Sequence, residues 1–321
     1  MHPLHSIPTA KEIEVTHGAI APMIHRTPVL SGHSIDQLAR AKLFFKCENF
    51  QKIGAFKMRG ASSAALRLSD AEKARGLATH SSGNHAQAVA RSAKVLGIPA
   101  HIVMPRNAPA IKRAATQGYG AQVYDCDNTL QAREATLEQV VERTGATFIH
   151  PYNDYNVIAG QATCAKELIE DCEGLDAIIA PIGGGGLISG TALSARYFAP
   201  GLKVYGAEPE EVDDAYRSFK SGQLQHNTTI DTIADGLRTN LGEKTFDIIQ
   251  RELEHIYTVS ERAIIHAMRL VWERMKIIIE PSCAVPLAAI LEEPARFEGQ
   301  KVGIIITGGN VDLSAFFDQL L

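Results

Sequence analysis

The segment AIIAPIGGGGLISGTALSA, residues 177–195, joins an apolar run to four consecutive glycines and then to a stretch of helical period. Its first six residues lack the in–out alternation of a half-exposed strand, which is typical of a parallel strand covered on both faces. The segment therefore predicts a strand, a tight loop and a helix in succession. Open α/β sheets are built from this unit.

The same alternation of short apolar runs and helical patterns extends over most of the chain. One helical pattern spans residues 128–144, and its apolar face holds Leu130, Leu137, Val140 and Val141. Alternation of this kind predicts an open α/β sheet with helices on both faces. Since no repeat or linker interrupts the chain, a second domain has to be inserted in the first or packed tightly on it. The other predicted strands lie at 76–80, 100–104, 121–124, 147–150, 203–208 and 302–307.

Length and composition exclude several classes of protein. The chain has 321 residues, 45% of them hydrophobic, which suffices for a sizeable core in about two domains. Its 32 basic and 36 acidic side chains give a formal net charge of −4, which argues against a nucleic-acid partner. No apolar run approaches the ~18 residues of a membrane helix, and residues 1–15 lack the apolar core of a signal peptide. The short apolar runs also lead us to expect no membrane partner. Because the five cysteines are scattered and form no CxxC pair, we expect free thiols and a cytoplasmic location.

Four predicted strands end in loops of unusual composition. In open α/β sheets, ligands bind beyond the carboxyl ends of the strands, where loops lead into helices. We therefore expect the four loops to cluster and to build a polar pocket. They are HSSGNH at 80–85, GGGG at 183–186, EP at 208–209 and TGGN at 307–310.

The glycines at 183–186 suit a phosphate, because their amides can turn toward one point and a helix N-terminus follows. Ile188 stands where a dinucleotide fingerprint needs its third glycine, and Thr191 stands where a P-loop needs lysine. A tight turn without a ligand is the alternative, although four glycines are entropically costly for a turn alone.

Lys57, in GAFKMRGA at 54–61, lies between apolar neighbours. Burial would lower the pKa of this lysine and make its amine competent to form a Schiff base. An ordinary surface lysine is the alternative. A phosphate loop without a nucleotide motif, combined with such a lysine, suggests pyridoxal phosphate.

Other polar residues of the loops leave more than one interpretation open. Ser82 and Asn84 can donate hydrogen bonds to a carboxylate or to a ring oxygen, and the SSGN context lacks the GxSxG elbow of nucleophilic serines. Glu208, Asp213 and Asp214 form either a solvated acidic loop or a magnesium or calcium site.

Five motifs together resemble one family closely: GAFKMRGA, THSSGNHAQAVA, PIGGGGLISG, ADGL and ITGGNVDL, in this order and spacing. They are similar to the serine/threonine dehydratases and serine racemases, which are pyridoxal-phosphate enzymes of the tryptophan synthase β-like fold (PLP fold type II). The resemblance covers nearly the whole chain and implies an α/β protein with two open, twisted, mainly parallel sheets flanked by helices. It also implies a large cofactor-binding domain of residues 1–74 and 149–321 and a small mobile domain of residues 75–148.

The resemblance also assigns roles to individual residues. Lys57 matches the family's Schiff-base lysine, and Ser82 matches the serine that racemases place across the cofactor from that lysine. Arg133 aligns with a racemase arginine and would meet a second substrate carboxylate, or else it lies on a helix surface. The implied cofactor site comprises Phe56, Lys57, Asn84, Gly183, Gly184, Gly185, Gly186 and Thr307. The implied site for the substrate α-carboxylate comprises Ser81, Ser82, Asn84 and His85. The implied Mg²⁺ or Ca²⁺ site comprises Glu208, the backbone carbonyl of Val212, and Asp214.

The activity implied by the resemblance is α,β-elimination of L-serine, L-threonine or 3-hydroxyaspartate to a 2-oxo acid and ammonia, with serine racemase activity, in a homodimer. The segment ERMKIIIEPSCAV at 273–285 also resembles bacterial 3-hydroxyaspartate dehydratases. Tyr152 and Asn153 depart from the racemase pattern, in which asparagine directly follows the proline. Two alternatives stay open: a β-replacement synthase of the same fold, and a non-catalytic protein that binds pyridoxal phosphate or phosphate.

Overall fold

The computed structural model describes residues 1–108 and 110–314, which form two β-sheets surrounded by helices. The strands are β1 Val29–Leu30, β2 Lys42–Cys47, β3 Leu77–His80, β4 Ala100–Pro105, β5 Gln122–Cys126, β6 Thr147–Phe148, β7 Ala177–Pro181, β8 Lys203–Pro209, β9 His255–Val259 and β10 Lys301–Ile306. The α-helices are α1 Ala10–Ile20, α2 His33–Ala39, α3 Lys57–Leu66, α4 Asp70–Arg75, α5 Asn84–Leu96, α6 Ala110–Gly118, α7 Leu130–Thr144, α8 Tyr155–Asp171, α9 Gly186–Phe198, α10 Asp214–Ser221, α11 Glu243–Glu252, α12 Glu261–Leu270, α13 Pro281–Glu292 and α14 Pro294–Phe297. Short 3₁₀ turns lie at Ala21–Met23, Glu48–Phe50, Lys52–Gly54, Glu210–Val212 and Asp235–Leu237, and a π-helical turn lies at Val271–Met275.

The two sheets are open and mainly parallel, which confirms the predicted fold class. The larger sheet has the strand order β1-β2-β10-β7-β8-β9, and only the pair β1–β2 is antiparallel. The smaller sheet has the order β5-β4-β3-β6 and is parallel throughout. All four strands of the smaller sheet lie within residues 77–148. A separate mobile domain of residues 75–148 remains a proposal.

Strand β7 shows why its sequence is continuously apolar. Ala177 and Ile179 point to one face of the larger sheet and pack in a core with residues of α13. Ile178 and Ala180 point to the other face and pack in a core with residues of α8 and α9. Both sets of side chains are fully buried, so neither face of the strand tolerates a polar residue.

The sequence patterns did not predict three of the described strands. Strand β1 has only two residues, which is too short for a period to show. Strand β2 contains Lys46, whose side chain is fully buried and forms an ion pair with Glu167 at 2.8 Å. A charged residue inside a central strand breaks the apolar pattern on which the prediction depends. Strand β9 has two partly exposed residues, His255 and Thr258.

The apolar face predicted for helix α7 is only partly buried. Leu130, predicted on the buried face of its helix, is 57% exposed, whereas Leu137 and Val140 are buried. The five cysteines are all buried free thiols, as expected. Across the described residues, the helices are too short or too polar for any of them to span a lipid bilayer.

Candidate active site

Lys57 begins helix α3 beside the carboxyl end of β10. The Phe56 N–H donates to the Thr307 carbonyl at 2.9 Å, and Ala55 forms a β-bridge with Gly308. The Lys57 ammonium donates to the Pro151 carbonyl at 2.8 Å and lies 5.2 Å from the centre of the Phe56 ring. Burial lowers the pKa of Lys57 to about 8, against an opposing effect of the Glu280 carboxylate. A much larger fraction of this amine is therefore neutral near pH 7 than in a surface lysine.

The glycine loop at 183–186 joins β7 to α9. Gly185 has a left-handed φ of +86°, and α9 begins at Gly186, so its first amide N–H groups have no partner within the helix. The loop is also crowded: a Cβ at Gly186 would lie 2.9 Å from the Tyr152 Cβ, and one at Gly185 would lie 2.8 Å from Thr245. Close packing is thus a second reason for the glycines, which the sequence alone did not show. The free amides remain suited to an anion.

Asn84 begins α5 and contacts a buried carboxylate. Its side-chain Nδ2 donates to the two Glu280 oxygens at 2.9 and 3.1 Å, and its Oδ1 accepts from Asn310 Nδ2 at 2.8 Å. Glu280 is only 4% exposed, and burial raises its pKa to about 7 despite the hydrogen bond from Asn84. Sequence reasoning missed Glu280. The signal was present, since an acidic residue stands between the three isoleucines at 277–279 and a proline that starts a helix.

Thr307 lies directly after β10 and is 3% exposed. Its hydroxyl contacts Cys283 Sγ at 3.1 Å, and the same sulfur accepts from the Gly308 N–H at 2.9 Å. The Thr307 hydroxyl is therefore held by a buried neighbour and is not free to rotate in solvent.

The loop between β3 and α5 contains the residues expected to hold a carboxylate. Ser81 Oγ accepts from the Gly83 N–H at 3.2 Å, and Ser82 is half-buried. His85 Nε2 must carry a proton, because it donates to the Ile149 carbonyl at 2.9 Å. Burial, reinforced by the charge of Lys57, holds the pKa of His85 well below its ordinary value, so the ring is neutral.

This geometry limits how His85 can contact a substrate carboxylate. Its remaining ring nitrogen, Nδ1, carries no proton and is buried with no partner among the described residues. Only the backbone N–H of His85, in the first turn of α5, can donate to an anion.

Arg133 lies in the first turn of α7 and is half-buried. Its Nη2 donates to Asn128 Oδ1 at 2.6 Å, while its Nε is buried and, within residues 1–108 and 110–314, has no partner. Its positive charge contributes to a lowered pKa of His80, for which burial is the main cause. The guanidinium thus lies near the end of β3 and keeps one donor unsatisfied, unlike a fully solvated surface arginine.

Tyr152 covers the glycine loop at the position where the sequence departs from the racemase pattern. Its ring packs against Gly184, and its hydroxyl lies 3.0 Å from Thr239 Oγ1. His150 Nδ1 accepts from the backbone N–H groups of Tyr152 and Asn153 at 3.2 and 2.9 Å, which fixes this turn.

Glu208 and Asp214 lie behind the glycine loop, and the solvated-loop interpretation is wrong for both. Each is 1% exposed. Burial, together with the charge of Asp214, raises the pKa of Glu208 well above its ordinary value, and burial raises that of Asp214 to about 6. Asp213, by contrast, forms a half-exposed ion pair with Arg217. The part of the chain that the structure describes holds no group of three or more His, Cys, Asp or Glu side chains fit for a metal.

The structure therefore brings Lys57, Thr307 and Asn84 together and connects them to the glycine loop through the turn at 150–153. Thr307, Asn84 and the glycine loop follow the carboxyl ends of strands from both sheets, as expected from the fold. The acidic pair lies behind the glycine loop, since Asp214 Oδ2 accepts from the Leu241 N–H at 2.8 Å and Leu241 packs against Gly185.

The chain is similar to known proteins over nearly its whole length. The family model "Pyridoxal-phosphate dependent enzyme" matches residues 20–308. The chain is 50% identical to the β-hydroxyaspartate dehydratase of Paracoccus denitrificans, over 96% of this chain and 98% of that protein. It is 49% identical to the serine racemase of Dictyostelium discoideum, over 98% of both chains. The solved structure of maize serine racemase superposes with a TM-score of 0.95 at 45% identity, covering 97% of this chain and 96% of that one.

Proposed function

Because the chain belongs to the pyridoxal-phosphate dependent enzyme family, we propose that it is an ammonia-lyase for β-hydroxy amino acids with additional serine racemase activity. The overall reaction converts the amino acid to a 2-oxo acid and ammonia, through loss of water from the α- and β-carbons and its return on hydrolysis. The dehydratase and racemase relatives support both halves of this proposal. The observation that carries it is the Lys57 amine of lowered pKa, which donates to Pro151 in the turn that packs on the glycine loop.

The residues of this site fit the cofactor. Lys57 would bind its aldehyde carbon, with Phe56 beside the ring and Asn84 at the ring oxygen. The amides of Gly183 to Gly186, in the loop and at the start of α9, would hold its phosphate, and the Thr307 hydroxyl would face its pyridine nitrogen. When bound, pyridoxal phosphate acts as an electron sink for negative charge at the substrate α-carbon.

The chain's own groups supply the proton transfers and the binding of the substrate. A neutral Lys57 amine can take the α-proton, because its lowered pKa keeps a part of it unprotonated near pH 7. Ser82, on the loop before α5, would exchange a proton on the opposite face. The backbone amides of Asn84 and His85, with Ser81 and Ser82, would hold the α-carboxylate at the positive end of α5.

Arg133 supports an acidic substrate. Its buried Nε–H has no acceptor within the described part of the chain, and a substrate carboxylate on the β-carbon would supply one. A 3-hydroxyaspartate has such a second carboxylate, whereas serine and threonine do not. We therefore rank 3-hydroxyaspartate first among the three candidate substrates for elimination.

A divalent cation and a second copy of the chain complete the proposal. Glu208, Asp214 and the Val212 carbonyl offer oxygen ligands of the kind that Mg²⁺ and Ca²⁺ prefer. Burial raises the pKa values of both carboxylates, and a cation would offset the cost of burying their charges. The homodimer rests on the family resemblance alone, and light scattering of the purified protein tests it.

The test is a substrate panel on the protein loaded with pyridoxal phosphate. The proposal predicts 2-oxo acid and ammonia in equal amounts from 3-hydroxyaspartate and from L-serine, and interconversion of D- and L-serine. A β-replacement synthase would instead release little 2-oxo acid until a thiol is added, and would then form a thioether. A non-catalytic binding protein would give no product under either condition.

A further inference from the structure

We propose that Glu280 is a positioning residue, whose buried carboxylate fixes the Asn84 side chain so that an N–H, and not the carbonyl, faces the cofactor's ring oxygen. This inference rests on the cofactor site proposed above.

The hydrogen-bond network determines which way the Asn84 amide points. The Ile53 carbonyl can only accept, and Asn310 Nδ2 donates to it at 2.7 Å. The second N–H of the same Asn310 nitrogen donates to Asn84 Oδ1 at 2.8 Å, which identifies that atom as the amide oxygen. The nitrogen of Asn84 is therefore the atom that faces Glu280.

Glu280 strengthens this orientation and leaves one donor free. An ionised carboxylate only accepts, and Asn84 Nδ2 lies 2.9 and 3.1 Å from its two oxygens. One N–H pointing between these oxygens satisfies both contacts, so the second N–H of Asn84 remains for the cofactor. The charge on the carboxylate makes this a stronger hydrogen bond than one to a neutral acceptor.

The position of Glu280 is built into the fold around it. Its backbone N–H donates to the Gly308 carbonyl at 3.1 Å, and a Cβ at Gly308 would lie 2.8 Å from Glu280 Oε1. The Asn310 backbone N–H donates to Oε2 at 3.3 Å. Lys112, the cation on this side of Glu280, forms its salt bridge with Asp235 instead, and burying a carboxylate without an ion pair is costly. This cost points to a role of Glu280 beyond stability.

The carboxylate also acts through space on the amine that binds the cofactor. Its negative charge raises the pKa of Lys57 against the effect of burial. The other groups that face this pair are His85 and His150 on the side of Lys57, and Asp235 and Lys112 on the side of Glu280. Removing the Glu280 charge should therefore make the nitrogen of Lys57 easier to deprotonate.

The experiment compares Glu280→Gln and Glu280→Asp with the wild-type holoenzyme. For Glu280→Gln we expect the pH titration of the visible absorbance of bound cofactor to move down by about one unit, the lower end of the effect of a neighbouring opposite charge. We also expect roughly tenfold weaker binding of pyridoxal phosphate, measured by equilibrium dialysis. Glu280→Asp keeps the charge but shortens the side chain, so it should bind the cofactor more weakly while titrating nearly as the wild type does.

A double-mutant cycle with Asn84→Ala separates positioning from a general loss of structure. If Glu280 acts through Asn84, then Glu280→Gln/Asn84→Ala should bind the cofactor no more weakly than Asn84→Ala alone. Glu292→Gln, at the far end of α13, is the matched control and should change neither readout. Additive losses, or an unchanged titration and affinity in Glu280→Gln, would overturn the inference while leaving the proposed function intact. A wild type that binds no pyridoxal phosphate would overturn both.

Discussion

The lowered pKa of Lys57 predicts how fast the apoprotein takes up its cofactor at each pH. Only the neutral amine can attack the aldehyde carbon, so the rate follows the neutral fraction. With a pKa of about 8, about a quarter of Lys57 is neutral at pH 7.5, against roughly one in a thousand for an ordinary lysine. At this pH, Lys57 should therefore react with the cofactor about two hundred times faster than it would if its amine titrated as a solvent-exposed lysine.

Stopped-flow absorbance measures this directly, when pyridoxal phosphate is mixed with apoprotein between pH 6 and 10. The observed rate should rise about tenfold per pH unit below pH 7 and level off above about pH 8.5. Free Nα-acetyl-lysine, measured in parallel, corrects for titration of the cofactor itself. A rate that still rises tenfold per unit at pH 9.5 would show that Lys57 titrates as a solvent-exposed lysine, and the account of its burial would be wrong.

Three further predictions concern the proton donor, the metal and the distal carboxylate. Ser82→Ala should abolish the D/L interconversion of serine. The rate of L-serine elimination should fall by much less than the roughly hundredfold or larger loss expected on removal of an acid–base group. Equal losses of rate in both assays would show that Ser82 only binds the carboxylate. Mg²⁺ or Ca²⁺ at about a hundred times its Kd should stabilise the protein by about 2.7 kcal/mol, seen as a raised melting midpoint that chelator and Asp214→Ala both remove; identical midpoints would exclude the metal site. Arg133→Gln should raise KM for 3-hydroxyaspartate at least tenfold and leave KM for L-serine nearly unchanged, with Arg143→Gln in the same helix as the control; equal changes for both substrates would rule out a contact with the second carboxylate.

The sequence predicted the parts of the fold whose cause is local. Strand β7 has apolar residues on both faces because helices cover both faces, and the pattern shows this directly. Strand β2 was not predicted, because Lys46 breaks its apolar pattern. The charge of Lys46 is tolerated in the core because it is neutralised by Glu167, more than a hundred positions away in the chain. No local pattern contains that information.

The candidate site divides in the same way. Lys57, Asn84 and Thr307 stand in motifs that can be read along the chain, and the structure places them close together. The role suggested for Glu280 depends on Asn84 lying within hydrogen-bond distance, and the choice of donor that His85 can offer to an anion depends on the Ile149 carbonyl. Each of these facts follows only from how the chain packs, so sequence patterns could not supply it.

The most direct test of the central claim is the visible spectrum and the 2-oxo acid yield of one pair of variants, Lys57→Ala and Lys52→Ala, beside the wild type. All three are purified, incubated with pyridoxal phosphate and freed of unbound cofactor before measurement. We predict that the wild type and Lys52→Ala carry the visible absorbance and form 2-oxo acid from 3-hydroxyaspartate, and that Lys57→Ala does neither. An unchanged spectrum and turnover in a folded Lys57→Ala protein would contradict the account.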